Sequence, residues 1–306
     1  MREAAMLIER GTLWSRMKET TAAALASGAL LPIPTTYSFV EEQGVRYFVR
    51  ILEGLKRKDE ARKEQDNASG AGKTANPFLP PEPALTAGDL TDTHIAVLNK
   101  FNVVEHHLLI VTRQYEDQDS LLTRGDFEAL WLGITEYDSL GFYNGGREAG
   151  ASQQHKHLQL VPLPLAPEGP ALPLEPLFAD AGPKEGLSEV PAFPFLHSFA
   201  RFDRGLGAAP SAAAGETHRL YGEMLKQLGM IGSGSSSVRS RPYCLLVTRG
   251  WMLLVPRSRE FFGDISLNSL AFAGSFFVRS RDQLERIRSQ GMMKALSAVA
   301  LERPRR

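Results

Sequence analysis

Apolar positions recur at helical spacing in some stretches of the chain and at strand spacing in others. Leu13, Trp14, Met17, Ala24 and Leu25 predict a helix over residues 12–27, with Thr12 as its cap and Gly28 as its stop. Residues 37–41 and 45–51 are β-prone runs joined at Glu42-Gln43-Gly44, the pattern of a hairpin. Residues 93–99 and 106–112 predict a second hairpin, made of strands that read as buried. Phe127, Leu130, Trp131, Ile134 and Tyr137 fall at i, i+3, i+4, i+7 and i+10, an amphipathic helix with Thr123 placed to cap it. Beyond the glycine-containing run at 141–146, a strand is expected over 153–161. A second pass follows: a strand at 195–201, a helix near 215–228, the flexible 232–237 loop, paired strands at 243–248 and 251–255, a β-run at 270–278, and a last helix from Arg281.

Strands and helices alternate without the regular βαβα order of a doubly wound sheet, which points to an α+β fold with largely antiparallel sheets. Residues 162–194 hold nine of the nineteen prolines and read as an irregular connector outside the core. An echo links His106-His107-Leu108-Leu109-Ile110-Val111-Thr112-Arg113 to Tyr243-Cys244-Leu245-Leu246-Val247-Thr248-Arg249. It is read either as two related half-domains or as two buried strands that end alike.

Composition narrows the function classes. A length of 306 residues fits one large or two modest domains, and 35 basic against 35 acidic side chains give no net charge. A protein that coats nucleic acid through its phosphates would carry a basic excess, so no nucleic-acid partner is expected. Hydrophobic residues at 43% exclude disorder along the whole chain. Cys244 is the single cysteine, so an intrachain disulfide and a Cys-rich zinc site are both excluded, in keeping with a reducing compartment. No signal-peptide core and no apolar run near the length of a membrane span is present, so a cytoplasmic protein without a membrane partner is expected. Residues 55–66 are dense in charge and read as a solvated face. Gly70-Ala71-Gly72-Lys73-Thr74 imitates the end of a phosphate-binding P-loop, but Asn67 stands where the motif needs glycine and Pro77 interrupts the required helix.

The chemistry concentrates in Gly150-Ala151-Ser152-Gln153-Gln154-His155-Lys156-His157-Leu158-Gln159. In a strand His155, His157 and Gln159 share one face, while Lys156, Leu158 and Leu160 share the other. Two histidines so placed could bind a metal, be satisfied structurally, or supply an imidazole that attacks phosphorus. The preceding Gly145-Gly146 and Gly150-Ala151-Ser152 offer bare backbone N–H groups and a hydroxyl, which suits phosphate oxygens.

The ordered segments Asn76-Pro77-Phe78, residues 98–104, residues 107–113, residues 142–146, His155-Lys156-His157-Leu158-Gln159, residues 253–258 and Asn268-Ser269 resemble ATP adenylyltransferase, the diadenosine tetraphosphate phosphorylase family of the histidine-triad superfamily. The His-x-His-x-Gln pattern is also similar to that of galactose-1-phosphate uridylyltransferase. The resemblance implies a histidine-triad-like α+β fold with flanking helices. It implies an N-terminal catalytic half over 1–165, a connector over 162–194, and a C-terminal half over 195–306 that completes the nucleotide site. It implies a transferase that phosphorolyses diadenosine tetraphosphate to ATP and ADP: His157 takes AMP covalently, Gln159 hydrogen-bonds the phosphoryl oxygens, His155 positions, and inorganic phosphate then removes the AMP. A nucleotidyltransferase acting on ADP-sulfate or a hexose-1-phosphate, and a non-catalytic nucleotide-binding protein, are the alternatives.

By the same resemblance, nucleotide and phosphate contacts fall on Lys58, Asn99, Lys100, Asn144, Gly150, Ala151, Ser152, Gln153, Asn268, Ser269, Leu270, Ser275 and Arg279. Leu270 stands where a hydroxyl residue can occur, and Arg279 where a lysine can. No structural zinc is expected, because zinc-binding relatives use cysteines together with the first histidine. Magnesium or manganese is expected to arrive with the nucleotide. His94, His197 and His218 read as surface or satisfied core residues, and His107 as a group placed behind the site.

Overall fold

Gly28 ends helix α1 (Leu13–Ser27) with a φ of +74°, a left-handed geometry that its missing side chain permits. Thr12 holds the N-cap position, but its hydroxyl donates back to the Glu9 carbonyl (2.6 Å), so the expected side-chain cap does not form. The structure, a computed structural model, describes residues 7–52, 76–182, 186–203, 205–231 and 241–304. The 55–66 run with Lys58, the Gly70–Thr74 imitation and the 232–237 loop lie outside the described residues.

Both expected hairpins form: β1 (Thr35–Glu42) with β2 (Val45–Leu52), and, after β3 (Thr86–Asp89), β4 (His94–Leu98) with β5 (Leu108–Thr112). Helix α2 (Arg124–Glu136) carries a capping box, in which Thr123 accepts from the Asp126 N–H and the Asp126 carboxylate accepts from the Thr123 N–H. Then come β6 (Ser139–Gly145) and β7 (His157–Pro162). The described part of the 162–194 connector is mostly irregular, with one 3₁₀ turn (Glu175–Phe178) and a two-residue strand at 187–188, but contrary to expectation it contributes to the core. Its Leu172, Leu174, Phe178 and Phe193 are buried, because proline-rich segments lacking regular structure can still cover a sheet face.

Strands β8 (Leu187–Ser188) and β9 (Ser198–Arg201) lead to α3 (Pro210–Gln227), which starts five residues before the expected position because Pro210 fits the first helical turn. Strands β10 (Tyr243–Val247) and β11 (Trp251–Pro256) pair as expected, and a small hairpin, β12 (Phe261–Phe262) and β13 (Ile265–Ser266), follows. The expected β-run at 270–278 is instead a 3₁₀ turn, Ser269–Ala273, followed by β14 (Ser275–Val278). The Asn268 side chain caps that turn by accepting the Leu270 N–H, and Gly274 closes it at φ +91°. Helices α4 (Arg281–Gln290) and α5 (Met292–Val299) end the chain.

The fold is α+β with largely antiparallel sheets, as expected. One nine-stranded antiparallel sheet runs β3-β4-β5-β7-β6-β10-β11-β9-β8, so strands from both sequence halves share it through the β6–β10 pair. Helices α1, α2 and α3 cover one face, over a core that includes Met17, Phe127, Trp131, Tyr221 and Met224. The three-stranded sheet β1-β2-β14, the connector, α4 and α5 cover the other, over Phe142, Phe199, Phe272 and Leu296. Helix α2 lies close against the sheet because Gly133 and Gly141 have no side chains. A Cβ at either would sit 2.7 Å from a leucine methyl, of Leu160 and Leu130 respectively.

Candidate active site

Strand β7 starts at His157 rather than at 153, and the reason shapes the site. Here β6 and β7 diverge, and the amide of Gln118 enters between them. Its Oε1 accepts the His157 N–H (2.8 Å), while its Nε2 donates to the carbonyls of Asn144 (2.9 Å) and His157 (3.2 Å). Residues 154–156 follow the 116–118 segment instead, through Gln118 N–H to Gln154 and Lys156 N–H to Glu116, both 2.8 Å. The opened strand end leaves His157 and Gln159 on the face away from α2.

The expected division of faces holds. Lys156 is completely buried on the α2 side, with its three ammonium donors directed to Asp126 (2.8 Å), Glu116 (2.9 Å) and the Leu121 carbonyl (3.1 Å). Asp126 also accepts from His94 Nε2 at 3.0 Å. Burial alone would raise the Asp126 pKa. The His94 hydrogen bond, the Lys156 charge and hydrogen bond, and the Thr123 N–H outweigh it and hold the group at about 2. This charged cluster pins the strand to the first turn of α2 from behind the histidines.

On the open face, His157 Nδ1 lies 2.8 Å from the His155 carbonyl. A carbonyl only accepts, so Nδ1 carries the proton and Nε2 carries the lone pair. Burial lowers the His157 pKa to about 4, more than its hydrogen bond to the His155 carbonyl raises it, so the ring is neutral near pH 7. His155 is fixed in turn: its Nε2 donates to the Thr112 carbonyl (2.8 Å), and its Nδ1 accepts from Asn76 Nδ2 (2.9 Å). The Phe78 ring stands 5.6 Å from both imidazoles, centroid to centroid.

Gln159 is oriented by a relay. Asn99 Nδ2 donates to His107 Nδ1 (3.2 Å), so His107 donates from Nε2 to Gln159 Oε1 (2.9 Å). Burial also lowers the His107 pKa to about 4, which keeps this ring neutral. With its oxygen engaged, Gln159 has its Nε2 amide available to an oxyanion. His107, from sequence a candidate for a place behind the site, contacts Gln159 directly.

Asn144, two residues along β6 from Phe142, accepts the Ser269 N–H (3.0 Å) and hydroxyl (2.7 Å) through Oδ1. Gly150 has φ +93°, and a Cβ there would lie 2.9 Å from the Asn268 Cβ, so the glycine-rich loop and the Asn268–Ser269 turn touch. Ala151 and Gln153 are half-buried and Ser152 is exposed beside them.

Of the remaining residues picked from the sequence, Leu270 joins this cluster only through its backbone N–H, which Asn268 Oδ1 accepts (3.0 Å). Lys100 is paired with Glu82 at 2.9 Å, Leu270 is buried in the core, and the buried Ser275 hydroxyl accepts from Arg50 (3.0 Å). Arg279 is exposed beyond β14, and Lys58 lies outside the described residues. The bland readings of the other histidines hold: His94 and His197 are satisfied core residues and His218 is on the surface.

The family description "Ap4A phosphorylase N-terminal domain" matches residues 3–180, and "ATP adenylyltransferase C-terminal domain" matches residues 191–302. The chain belongs to the Ap4A phosphorylase family. Diadenosine 5',5'''-P1,P4-tetraphosphate phosphorylase 2 of Saccharomyces cerevisiae is 27% identical over 266 residues, 79% of each chain. Protein APA1 of the same yeast is 24% identical over 233 residues, 69% of this chain and 71% of its own. The crystal structure of yeast Ap4A phosphorylase Apa2 superposes with a TM-score of 0.78 at 22% identity, covering 98% of this chain and all of that one, which shows a shared fold. Membership accounts for the ordered motifs read from the sequence, but Gln118, Thr112 and the Asp126 partner of Lys156 were not identified there. Lys156 did carry a signal: a lysine pointing to an apolar strand face needs a buried carboxylate, and Asp126 sits one helical turn into a capped helix. Gln118 carried none.

Proposed function

We propose that this member of the Ap4A phosphorylase family phosphorolyses diadenosine tetraphosphate to ATP and ADP through AMP bound to His157. The observation that supports it is the fixed tautomer of His157, which presents an unprotonated Nε2 beside the Gln159 amide. The Nε2 lone pair attacks the α-phosphorus, the bond from that phosphorus to the polyphosphate bridging oxygen breaks, and ATP leaves. The adenylylated ring is an imidazolium, whose Nδ1–H then bonds more strongly to the His155 carbonyl. The Gln159 amide donates to the phosphoryl oxygens as their charge develops. An oxygen of inorganic phosphate next attacks the same phosphorus, the P–N bond breaks, ADP forms and neutral His157 returns. Gln159 offers no base to water, so the intermediate persists until phosphate arrives.

Asn144, Gly150–Gln153 and Asn268–Ser269 form the surface on which the phosphates rest, with Asn99 orienting from behind. By the family resemblance, Lys58 and Lys100 add cationic charge for the acceptor phosphate, and Leu270, Ser275 and Arg279 are further nucleotide contacts. Magnesium or manganese enters as part of the substrate, bound to the polyphosphate, and zinc has no structural part. No described helix is long and apolar enough to cross a membrane. A lone buried cysteine fits a reducing compartment, and we place the activity in the cytoplasm. The test is phosphate dependence: purified protein should turn diadenosine tetraphosphate over to ATP and ADP only when phosphate is added, and without it should release about one ATP per active site and no ADP. Turnover of ADP-sulfate or a hexose-1-phosphate donor in preference would overturn the substrate assignment.

A further inference from the structure

Arg257 follows β11 and is only 3% exposed, yet none of its contacts among the described residues is a carboxylate. Its Nε donates to the Val299 carbonyl (3.1 Å). Nη1 donates to the Ala149 carbonyl (3.3 Å) and the Cys244 sulfur (3.0 Å). Nη2 donates to the carbonyls of Arg259 (2.8 Å), Leu267 (2.8 Å) and Glu260 (3.5 Å). A guanidinium held away from water without an opposite charge is costly, and carbonyl dipoles offset only part of that cost.

The location of these carbonyls gives the arrangement a function. Ala149 immediately precedes Gly150, and Leu267 immediately precedes Asn268. One planar fork therefore ties together the roots of the two loops that meet where Gly150 lies against Asn268, one from each half of the chain. We propose that Arg257 is a positioning residue that sets the spacing of these loops, and so the fit of the phosphate-binding surface between them. Its charge, which meets the Phe272 ring (5.3 Å to the centroid) but no carboxylate among the described residues, also favours an anion at that surface. The proposal rests on the reading of these loops as phosphate-binding. A lysine keeps the charge, but its single ammonium cannot span both carbonyls as the fork does.

The experiment compares steady-state kinetics of full-length Arg257→Met and Arg257→Lys with those of Asn144→Ala and Ser269→Ala, after thermal melts confirm folding. Arg257→Met should raise KM for diadenosine tetraphosphate by about tenfold or more while kcat at saturation stays within about threefold, because nothing that touches the reacting phosphorus is removed. Arg257→Lys should fall between Met and wild type. Cys244→Ala deletes the sulfur contact and keeps the carbonyl fork, so its KM should stay within about twofold. If Arg257→Met does not fold, Arg257→Lys together with Cys244→Ala decides the matter. If Asn144→Ala and Ser269→Ala raise KM but the folded Arg257 variants do not, Arg257 has no positioning role. If the two loop variants leave KM unchanged, the phosphate-binding reading itself fails.

Discussion

Replacing His107 with leucine tests the relay that orients Gln159 without touching either residue assigned to the reacting phosphorus. The substitution removes the donor 2.9 Å from Gln159 Oε1 and leaves a buried acceptor without its partner, at a cost of about 1–3 kcal/mol. The freed amide can then turn its oxygen toward the phosphoryl group, and loss of one oxyanion donor costs about 3–4 kcal/mol at the limit. Because the amide still samples the productive orientation, the expected loss is intermediate: kcat should fall about 10- to 100-fold, with KM changed less than about threefold. His107→Gln can return an amide donor near the lost Nε2 and should recover much of the rate. The assay is ATP release at saturating substrate and phosphate, with melts to confirm that both variants fold. A folded His107→Leu enzyme with kcat within twofold of wild type would refute the relay.

Gln159→His introduces a group able to pass protons, so AMP should replace part of the ADP; an unchanged AMP to ADP ratio, with and without phosphate, would assign acceptor choice to the phosphate pocket alone. Lys156→Met strands the buried Asp126 carboxylate and should destabilise the fold by about 3–5 kcal/mol in denaturant melts, and a loss below 1 kcal/mol would show that the charged cluster does not anchor the strand. His107 and His157 both have pKa values lowered from 6.5 to about 4 by burial. The unfolded chain therefore binds protons first, so stability is full above pH 6.5 and falls as pH drops toward 4, by up to about 3 kcal/mol for each ring. Melts of wild type and His107→Leu across that range should show a shallower pH dependence in the variant, and parallel curves would contradict it.

Much of this site is legible in the sequence because its residues obey strand periodicity. Alternation alone places His157 and Gln159 on one face and Lys156 on the other, and the turn chemistry at Gly28, Gly44 and Thr123 marks element ends correctly. The misreadings have specific causes. Residues 270–278 look β-prone, yet one Asn268 side chain capping Leu270 N–H and a left-handed Gly274 convert the first half into a 3₁₀ turn. The start of β7 is displaced by Gln118, 39 residues earlier in the chain and visible only once the strands are brought together. The relay through Asn99 and His107 and the carbonyl cluster around Arg257 depend likewise on contacts between distant segments, which periodicity does not record.

In the proposed reaction, Nε2 of His157 carries AMP between the two half-reactions. Mixing enzyme with diadenosine tetraphosphate in the absence of phosphate, quenching at alkaline pH to preserve the P–N bond, and mapping the digest by mass spectrometry tests it directly. A peptide containing His157 should carry one AMP, lost in acid or on addition of phosphate before the quench. No such adduct should form in His157→Ala, which should keep nucleotide binding within about tenfold. AMP found on Lys156, Lys100 or His155, or phosphate-dependent turnover by His157→Ala at the wild-type rate, would contradict it.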